Sequence, residues 1–216
     1  MKGPLFYSKI LLFGEYGIIQ DSKGLSIPYN FYNGALKKED HPSQDAIASN
    51  GHLKRFVTYL ESLQTEQPDL VQFDIATLQK DVNEGMYFDS SIPQGYGVGS
   101  SGALVAAIYD KYAQHKITVL ENLTREKLLE LKTIFSQMES FFHGKSSGLD
   151  PLNSYLSIPI LINSKDNIEA TGIPTQSFDG KGAVFLLDSG IVGETAPMVN
   201  IFMENLKDQG FRTMLK

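Results

Sequence analysis

The segment PQGYGVGSSGALVAAIYD, residues 93–110, constrains the fold of this chain more than any other part of its sequence. Four glycines and two serines lie in its first ten residues, and an alanine-rich apolar run follows directly. Because glycine costs backbone entropy, a chain that collects it before a helix needs conformations that other residues disfavour. The pattern predicts a loop that turns its N–H groups towards an anion at a helix N-terminus. A flexible lead-in to a helix N-cap would give the same composition.

Two serines stand where the helix is predicted to begin, and they narrow the chemistry of the loop. Ser100 and Ser101 could each offer a hydroxyl to a phosphate or to a magnesium ion. The loop is not of the GxxxxGK[ST] type, because no lysine follows the glycines. It is not a Rossmann GxGxxG loop either, because no acidic residue follows at the expected distance on a second strand.

Composition excludes several classes of protein. The 216 residues, 42% of them hydrophobic, suffice for one large domain or for one domain with part of another. A net charge of −6 without a long Lys/Arg run argues against a nucleic-acid partner. The absence of cysteine excludes disulfides and cysteine-based zinc sites, and the four histidines are scattered. An N-terminal apolar run breaks at Gly14-Glu15, too early for a signal peptide or a membrane span, so we expect a cytoplasmic protein.

Hydrophobic periodicity favours an α+β fold, because strands and helices mix without regular βαβ alternation. Strands are predicted at 5–16, 24–36, 86–93, 154–162 and 182–190. Helices are predicted at 52–63, 101–114, 125–144 and 195–216, with 37–50 a loop, Asn50 a helix cap and 71–78 a short alternating stretch. Asp150 follows a small-residue turn and precedes a proline, which predicts a position outside any helix.

Three segments, in this order along the chain, resemble the GHMP small-molecule kinases. KILLFGEYGII, which begins at Lys9, resembles the K-x-x-x-x-G-E-H segment of the mevalonate kinase branch, with Tyr16 where histidine is common. PQGYGVGSSGAL resembles P-x-x-x-G-L-G-S-S-A-A, with Val98 for leucine and Gly102 for the first alanine. ESFFHGKSSGLDP resembles E-x-x-x-H-G-x-x-S-G-x-D-N, with Pro151 for asparagine.

The resemblance implies a two-domain α+β fold. Residues 1–165 would form an N-terminal ATP-binding domain with a mixed sheet, and residues 166–216 would begin a ferredoxin-like C-terminal domain. The family's third glycine-rich motif, roughly G-x-G-G-G-G, is missing after residue 180, and the chain stops within a helical pattern at RTMLK. We therefore expect these residues to be a fragment that exposes apolar surface, associates and turns over slowly.

The implied activity is transfer of the ATP γ-phosphate to a small alcohol, with mevalonate as the favoured acceptor and with ATP and Mg²⁺ as cofactors. Ser101 and Glu139 would hold Mg²⁺, and Asp150, assisted by Lys9, would take the proton of the alcohol. The implied ATP-binding residues are Pro93, Gly95, Gly97, Gly99, Ser100, Ser101 and Gly102. Supporting substrate contacts are assigned to Glu15, Tyr16, His143, Ser147 and Thr195.

Each of these residues also has an ordinary structural interpretation. Asp150 could be an Asx-turn residue, Glu139 a solvated helix charge, and Lys9 an edge-strand lysine that limits aggregation. Thr195 lies in DSGIVGET, which resembles a T-x-x-x-R-x-T segment with Gly193 at the arginine position. Other functions remain open: phosphomevalonate kinase or another GHMP kinase, or a non-catalytic nucleotide-binding protein of the same fold. A homodimer is possible, and neither nucleic acid nor membrane is expected as a partner.

Overall fold

Strands form one sheet, and helices pack against it. The computed structural model describes residues 3–20, 22–118, 123–164, 166–172, 186–187, 190, 193 and 195–214. The strands are β1 (Phe6–Phe13), β2 (Gly24–Lys37), β3 (Tyr87–Ser90), β4 (Ile160–Ser164) and β5 (Asn167–Ala170). The helices are α1 (Gln44–Glu66), α2 (Ile75–Asn83), α3 (Ser100–Tyr112), α4 (Arg125–His143), α5 (Leu149–Leu156), α6 (Thr195–Asn205) and α7 (Gln209–Met214). The α+β class is thereby confirmed.

The long strand β2 organises the sheet. It pairs with β1 on one side, while β4 and β3 pair with its first and last residues, and β5 completes the sheet beside β4. All pairings among the described residues are antiparallel, so the expected mixed sheet is wrong for this part of the chain. The connections from β1 to β2 and from β4 to β5 are too short for a parallel crossover. The β4–β5 pair crosses the expected domain boundary at 165/166, which stays a prediction.

The helix that follows the glycine loop forms the centre of the core. In α3 every residue from Gly102 to Tyr109 is buried, as expected for a helix that is apolar on all sides. The apolar stripe of α4 faces it, and Phe135 of that stripe lies edge-on to Tyr109 at 5.0 Å between ring centroids. Tyr155 of α5 completes this aromatic group at 5.2 Å from Tyr109. The predicted start of α4 after Thr124 and its end at Gly144 are confirmed.

Two predictions before the glycine loop are wrong. Helix α1 begins at Gln44, capped by the Ser43 side chain, so the second half of the predicted loop 37–50 is helical. Asn50 lies inside α1, where its amide nitrogen donates to the carbonyl oxygens of Val82 and Met86. The alternating stretch at 71–78 gives way to α2, because Asp74 accepts the backbone N–H of Thr77 and caps a helix.

Two predictions near the end of the chain also change. The segment predicted as a strand at 154–162 begins in α5, and β4 starts only at Ile160. The single C-terminal helix is divided into α6 and α7, because the carboxylate of Asp208 accepts the N–H of Phe211 and starts a new helix. The strand predicted at 182–190 lies largely outside the described residues. No helix in the described part of the chain is both long and apolar enough to cross a bilayer.

Two glycines at the ends of α4 and α5 differ in the space around them. Gly148 (φ 74°) and Gly144 (φ 70°) both have positive φ angles, so alanine at either position meets a backbone penalty of about 1–2 kcal/mol. A Cβ atom on Gly148 would lie 2.1 Å from the carbonyl oxygen of Lys132, whereas one on Gly144 would meet no atom within 4 Å. We expect Gly148→Ala to cost about 1–3 kcal/mol more than Gly144→Ala in urea unfolding. Equal losses would contradict this packing of α5 on α4.

Candidate active site

The glycines of the loop before α3 have identifiable structural reasons. Gly95, Gly97 and Gly99 have φ angles of 79°, 68° and 84°, in the region that glycine adopts without penalty. Gly99 is the N-cap of α3, and no side chain caps this helix. The first N–H groups of a helix have no partner within it, so α3 begins with free donors at the end of this loop.

The loop is joined to β1 next to a buried lysine. The backbone N–H of Lys9 donates to the carbonyl oxygen of Val98 at 3.0 Å, so the loop follows the outer edge of β1. The side chain of Lys9 passes Gly99, where a Cβ atom would lie 3.0 Å from its Cγ. Lys9 is only 8% exposed, which excludes the solvated edge lysine considered from the sequence.

The ammonium group of Lys9 pairs with Asp150. Its Nζ lies 3.0 Å from Asp150 Oδ1, and the side chain of Asp150 is 35% exposed. The prediction that Asp150 lies outside any helix is wrong, because it lies in the first turn of α5. A proline is tolerated in a first turn, where its missing N–H has no helical partner, so Pro151 does not prevent the helix.

The N-termini of α3 and α5 meet at Gly102. A Cβ atom on Gly102 would lie 2.7 Å from the carbonyl carbon of Asp150 and 2.8 Å from the nitrogen of Pro151. The N-cap residue of each helix is a glycine, which offers no side-chain acceptor, and at α5 the Ser147 hydroxyl accepts the N–H of Leu149 at 3.3 Å. Two positive ends of helix dipoles therefore converge next to the glycine loop, an arrangement that favours a negatively charged ligand.

A buried carboxylate lies beside the start of α3. Glu139 of α4 is 3% exposed, so it is not the solvated helix charge considered from the sequence. The hydroxyl of Ser101 donates to Glu139 Oε1 at 2.9 Å. The Nε2 atom of His143 lies 3.1 Å from the same hydroxyl oxygen. Three residues predicted from separate motif positions are thus joined by hydrogen bonds.

The sequence analysis missed Ser146. Its hydroxyl donates to the second oxygen of Glu139, Oε2, and accepts the backbone N–H of Gly148 at 3.0 Å. The neighbouring Ser147, which matches the family motif, is exposed, and its hydroxyl accepts the N–H of Leu149 at 3.3 Å. The motif leaves position 146 open, so no signal in the sequence distinguished this serine.

The environment of Glu139 raises its pKa to about 7. Burial is the largest cause, and the negative charge of Asp150 adds to it. Hydrogen bonds from Ser146 and Ser101 and the charge of Lys9 oppose the increase. Glu139, Asp150 and Lys9 together bring two carboxyl groups but only one ammonium group, and that ammonium group is already paired with Asp150. A divalent cation would reverse this imbalance.

The oxygen atoms of Ser101 and Glu139 fit a magnesium ion. Two oxygens bound side by side to Mg²⁺ at about 2.1 Å lie roughly 3 Å apart, and Ser101 Oγ and Glu139 Oε1 are 2.9 Å apart. The described residues contain no group of three or more His, Cys, Asp or Glu side chains that could hold a metal. Few protein ligands, completed by phosphate oxygens and water, are the usual environment of Mg²⁺.

The remaining predicted site residues belong to the loop after β1 and to the start of α6. Glu15 is exposed in the loop after β1, and the ring of Tyr16 (φ 58°) packs on Phe202 of α6 at 5.7 Å. Among the described residues, neither side chain hydrogen-bonds to the carboxylate of Glu139 or of Asp150. Thr195 is the first residue of α6, and just before it the N–H of Gly193 donates to the carbonyl oxygen of Gly95 at 3.1 Å. Gly193 therefore contacts the glycine loop.

Comparisons with known proteins relate part of this chain to a known family. Residues 60–157 match the family model described as the GHMP kinases N terminal domain. This segment, just under half of the chain, is similar to a GHMP kinase N-terminal domain. It contains the glycine loop, Glu139 and Asp150, whereas Lys9 precedes it. A search of curated proteins gave no match.

Solved structures of mevalonate kinases share the fold. The Leishmania major enzyme in complex with R-mevalonate is similar with a TM-score of 0.51 at 17% identity over 100% of this chain and 68% of its own. The Methanococcus jannaschii enzyme is similar with a TM-score of 0.53 at 14% identity over 100% of this chain and 69% of its own. The recognition of a GHMP kinase is confirmed, and at these identities the structures show the fold alone. The ferredoxin-like C-terminal domain stays a prediction.

The raised pKa of Glu139 predicts how stability depends on pH. The folded protein holds this proton up to about pH 7, whereas the unfolded chain releases it near the ordinary value of 4.5. Stability should therefore fall as pH rises through this window, by at most about 1.4 kcal/mol per pH unit. Glu139→Gln removes the pH-dependent contribution of this carboxyl group to the free energy of unfolding. The stability of the variant relative to the wild type should therefore increase from pH 4.5 to 7 and then level off. Urea unfolding at a series of pH values, without divalent cations, measures the free energy of unfolding of both proteins. If the two free energies change with pH in parallel, the assignment is contradicted.

Proposed function

We propose that this protein is an ATP-dependent small-molecule kinase that transfers the γ-phosphate to an alcohol, with mevalonate as the favoured acceptor. The proposal rests on one observation above all. An ion pair between Lys9 and Asp150 lies where two helix N-termini with glycine N-caps meet, beside the hydroxyl–carboxylate pair of Ser101 and Glu139. Phosphoryl transfer requires these parts: donors for phosphate, oxygen ligands for a cation and a carboxylate for the proton of the alcohol.

The triphosphate would bind at the glycine loop and the start of α3. Backbone N–H groups of this loop and the dipole of α3 would hold the phosphate oxygens, together with the hydroxyl of Ser100. The glycines at 95, 97 and 99 permit the backbone turns, and Gly102 brings α5 against the same place. Pro93 leads into the loop from β3.

Ser101 and Glu139 would hold Mg²⁺, which neutralises charge on the phosphate oxygens during transfer. Glu139 would then bind as the carboxylate, so cation binding would release its proton near neutral pH. The hydroxyl of Ser101 has one hydrogen and two lone pairs. Its hydrogen points to Glu139 and one lone pair faces His143, which leaves one lone pair for the cation.

Asp150 would accept the proton of the attacking alcohol. Its Oδ1 is held by Lys9, and the carboxylate is partly exposed, so Oδ2 is open to the substrate. The alcohol oxygen attacks the γ-phosphorus, the bond to the β,γ-bridging oxygen breaks, ADP leaves, and the proton moves to Asp150. Lys9 has further N–H donors that would orient the alcohol oxygen next to this carboxylate.

The acceptor alcohol and the domain arrangement complete the proposal. Mevalonate is supported by the names of the two structural neighbours, one of which is bound to R-mevalonate. Its contacts would come from the residues assigned by resemblance: Glu15, Tyr16, His143, Ser147 and Thr195. The ATP-binding domain would extend over 1–165, and a C-terminal domain would begin at 166. Phosphomevalonate is the second acceptor to test.

Asp150→Asn should preserve nucleotide binding and abolish most turnover. The change keeps the shape of the side chain but removes the proton acceptor, which is typically worth about 10²–10⁴-fold in rate. Coupled ADP release over mevalonate, phosphomevalonate, galactose and homoserine measures turnover, and calorimetry measures ATP binding. Asp89→Asn, which removes an exposed ion-paired carboxylate on β3, is the control. A loss below about tenfold would leave Asp150 a structural residue, and ATP binding without transfer would favour a non-catalytic nucleotide-binding protein.

Ser101→Ala should weaken the use of Mg²⁺-ATP much more than it weakens folding. The variant loses a hydroxyl that contacts Glu139 at the start of α3 but leaves the helix itself intact. Thermal midpoint and ATP turnover are measured together on the same preparation. Ser62→Ala, which removes a hydroxyl that bonds only to the carbonyl oxygen of Thr58 on α1, is the matched control. Turnover equal to that of the wild type would remove Ser101 from the cation site.

A further inference from the structure

We propose that Ser146 is a positioning residue, which fixes the carboxylate of Glu139 and joins it to the helix turn that carries Asp150. This inference rests on the proposed function, because it concerns the cation that Glu139 would hold. Ser146 lies at a position that the family motif leaves open. Its role follows from the contacts of this chain.

Both oxygens of Glu139 are held by serine hydroxyls. Ser101 donates to Oε1 and Ser146 donates to Oε2, and the residue between them is 3% exposed. A buried carboxylate requires hydrogen bonds to remain in place, because water cannot reach it. Ser101 stands at the start of α3, where the cation would bind, whereas Ser146 holds the other carboxylate oxygen.

Ser146 is itself held on both sides. Its hydroxyl accepts the backbone N–H of Gly148 at 3.0 Å while it donates to Glu139, and its carbonyl oxygen accepts the hydroxyl of Ser136 at 2.6 Å. Gly148 is the N-cap of α5, two residues before Asp150. One side chain therefore connects the carboxylate of α4 with the turn that places the proposed base.

The adjacent serine does not share these contacts. The hydroxyl of Ser147 accepts the N–H of Leu149 at 3.3 Å and faces solvent. The motif match therefore identifies Ser147, while the hydrogen bonds identify Ser146 as the residue next to the carboxylate. The two serines would therefore have different roles. Ser147 would affect binding of the alcohol, and Ser146 would affect binding of the cation.

Loss of the Ser146 hydroxyl would leave Glu139 Oε2 without a donor. The carboxylate would then have to be ordered when the cation binds, and hydrogen bonds to charged groups are among the stronger ones. We expect Ser146→Ala to raise the Mg²⁺ concentration for half-maximal binding of a non-hydrolysable ATP analogue about tenfold. Affinity for the analogue without Mg²⁺ should stay unchanged.

The experiment compares variants with and without the hydroxyl at equal shape. Ser146→Thr keeps the hydroxyl and should bind Mg²⁺ like the wild type, whereas the isosteric Ser146→Val should behave like Ser146→Ala. Ser140→Ala is the matched control, because the Ser140 hydroxyl bonds only to the carbonyl oxygen of Ser136, one helical turn earlier. Calorimetric titrations at several Mg²⁺ concentrations give the affinities, and thermal midpoints show that each variant is folded.

A double-variant comparison separates this inference from the proposed function. Ser146→Ala should have no further effect on Mg²⁺ dependence in a Glu139→Gln background, because it acts through that carboxylate. If Glu139→Gln and Ser101→Ala leave the Mg²⁺ dependence unchanged, the proposed cation site is wrong and this role with it. If those two variants weaken it while Ser146→Val matches Ser146→Thr, only the role of Ser146 is wrong. If Ser146→Ala lowers the affinity for the analogue equally in the absence of Mg²⁺, the role of Ser146 is likewise wrong.

Discussion

The close contact between α3 and α5 at Gly102 is the constraint on which the site depends. At this point the backbone of α5 lies so near α3 that a single methyl group would overlap Asp150 and Pro151. The contact brings together two helix N-termini whose N-cap residues are glycines. It also places Asp150 within reach of Lys9 on β1, across the glycine loop. Without this approach the base, the loop and the lysine would belong to separate parts of the fold.

Three glycines around the site permit close packing between elements, in addition to any backbone conformation that they permit. At 99, 102 and 148 a Cβ atom would collide with Lys9, with α5 and with α4 respectively. Gly99 and Gly148 also have positive φ angles, whereas Gly102 lies within a helix and is small for packing alone. The glycines noticed in the sequence therefore have two causes, and only the turn-forming one was predictable. A helical glycine shows its reason only when the neighbouring element is known.

The sequence predicted the site better than the elements that carry it. The residues at 9, 101, 139 and 150 lie next to one another, because motif spacing records chemistry directly. The sequence analysis missed the start of α1, the helix α2 and the helical position of Asp150. These helices begin at the N-cap residues Ser43, Asp74 and Gly148, although the composition of each segment favoured a loop, a strand-like stretch or a turn. Ser146 could not be predicted, because its role depends on a turn that brings it back to a residue seven positions earlier in the chain.

The buried carboxylate shows that this region is not arranged for stability alone. Its raised pKa means that the folded protein disfavours the ionised form at neutral pH, although two hydroxyls and a lysine partly offset the cost. A protein selected only to fold would gain from an apolar side chain of similar size at this position. The cost is understandable if a cation completes the group, because the second carboxyl charge then becomes favourable. The unfavourable burial of Glu139 beside the start of α3 is therefore itself an argument for a ligand-binding site.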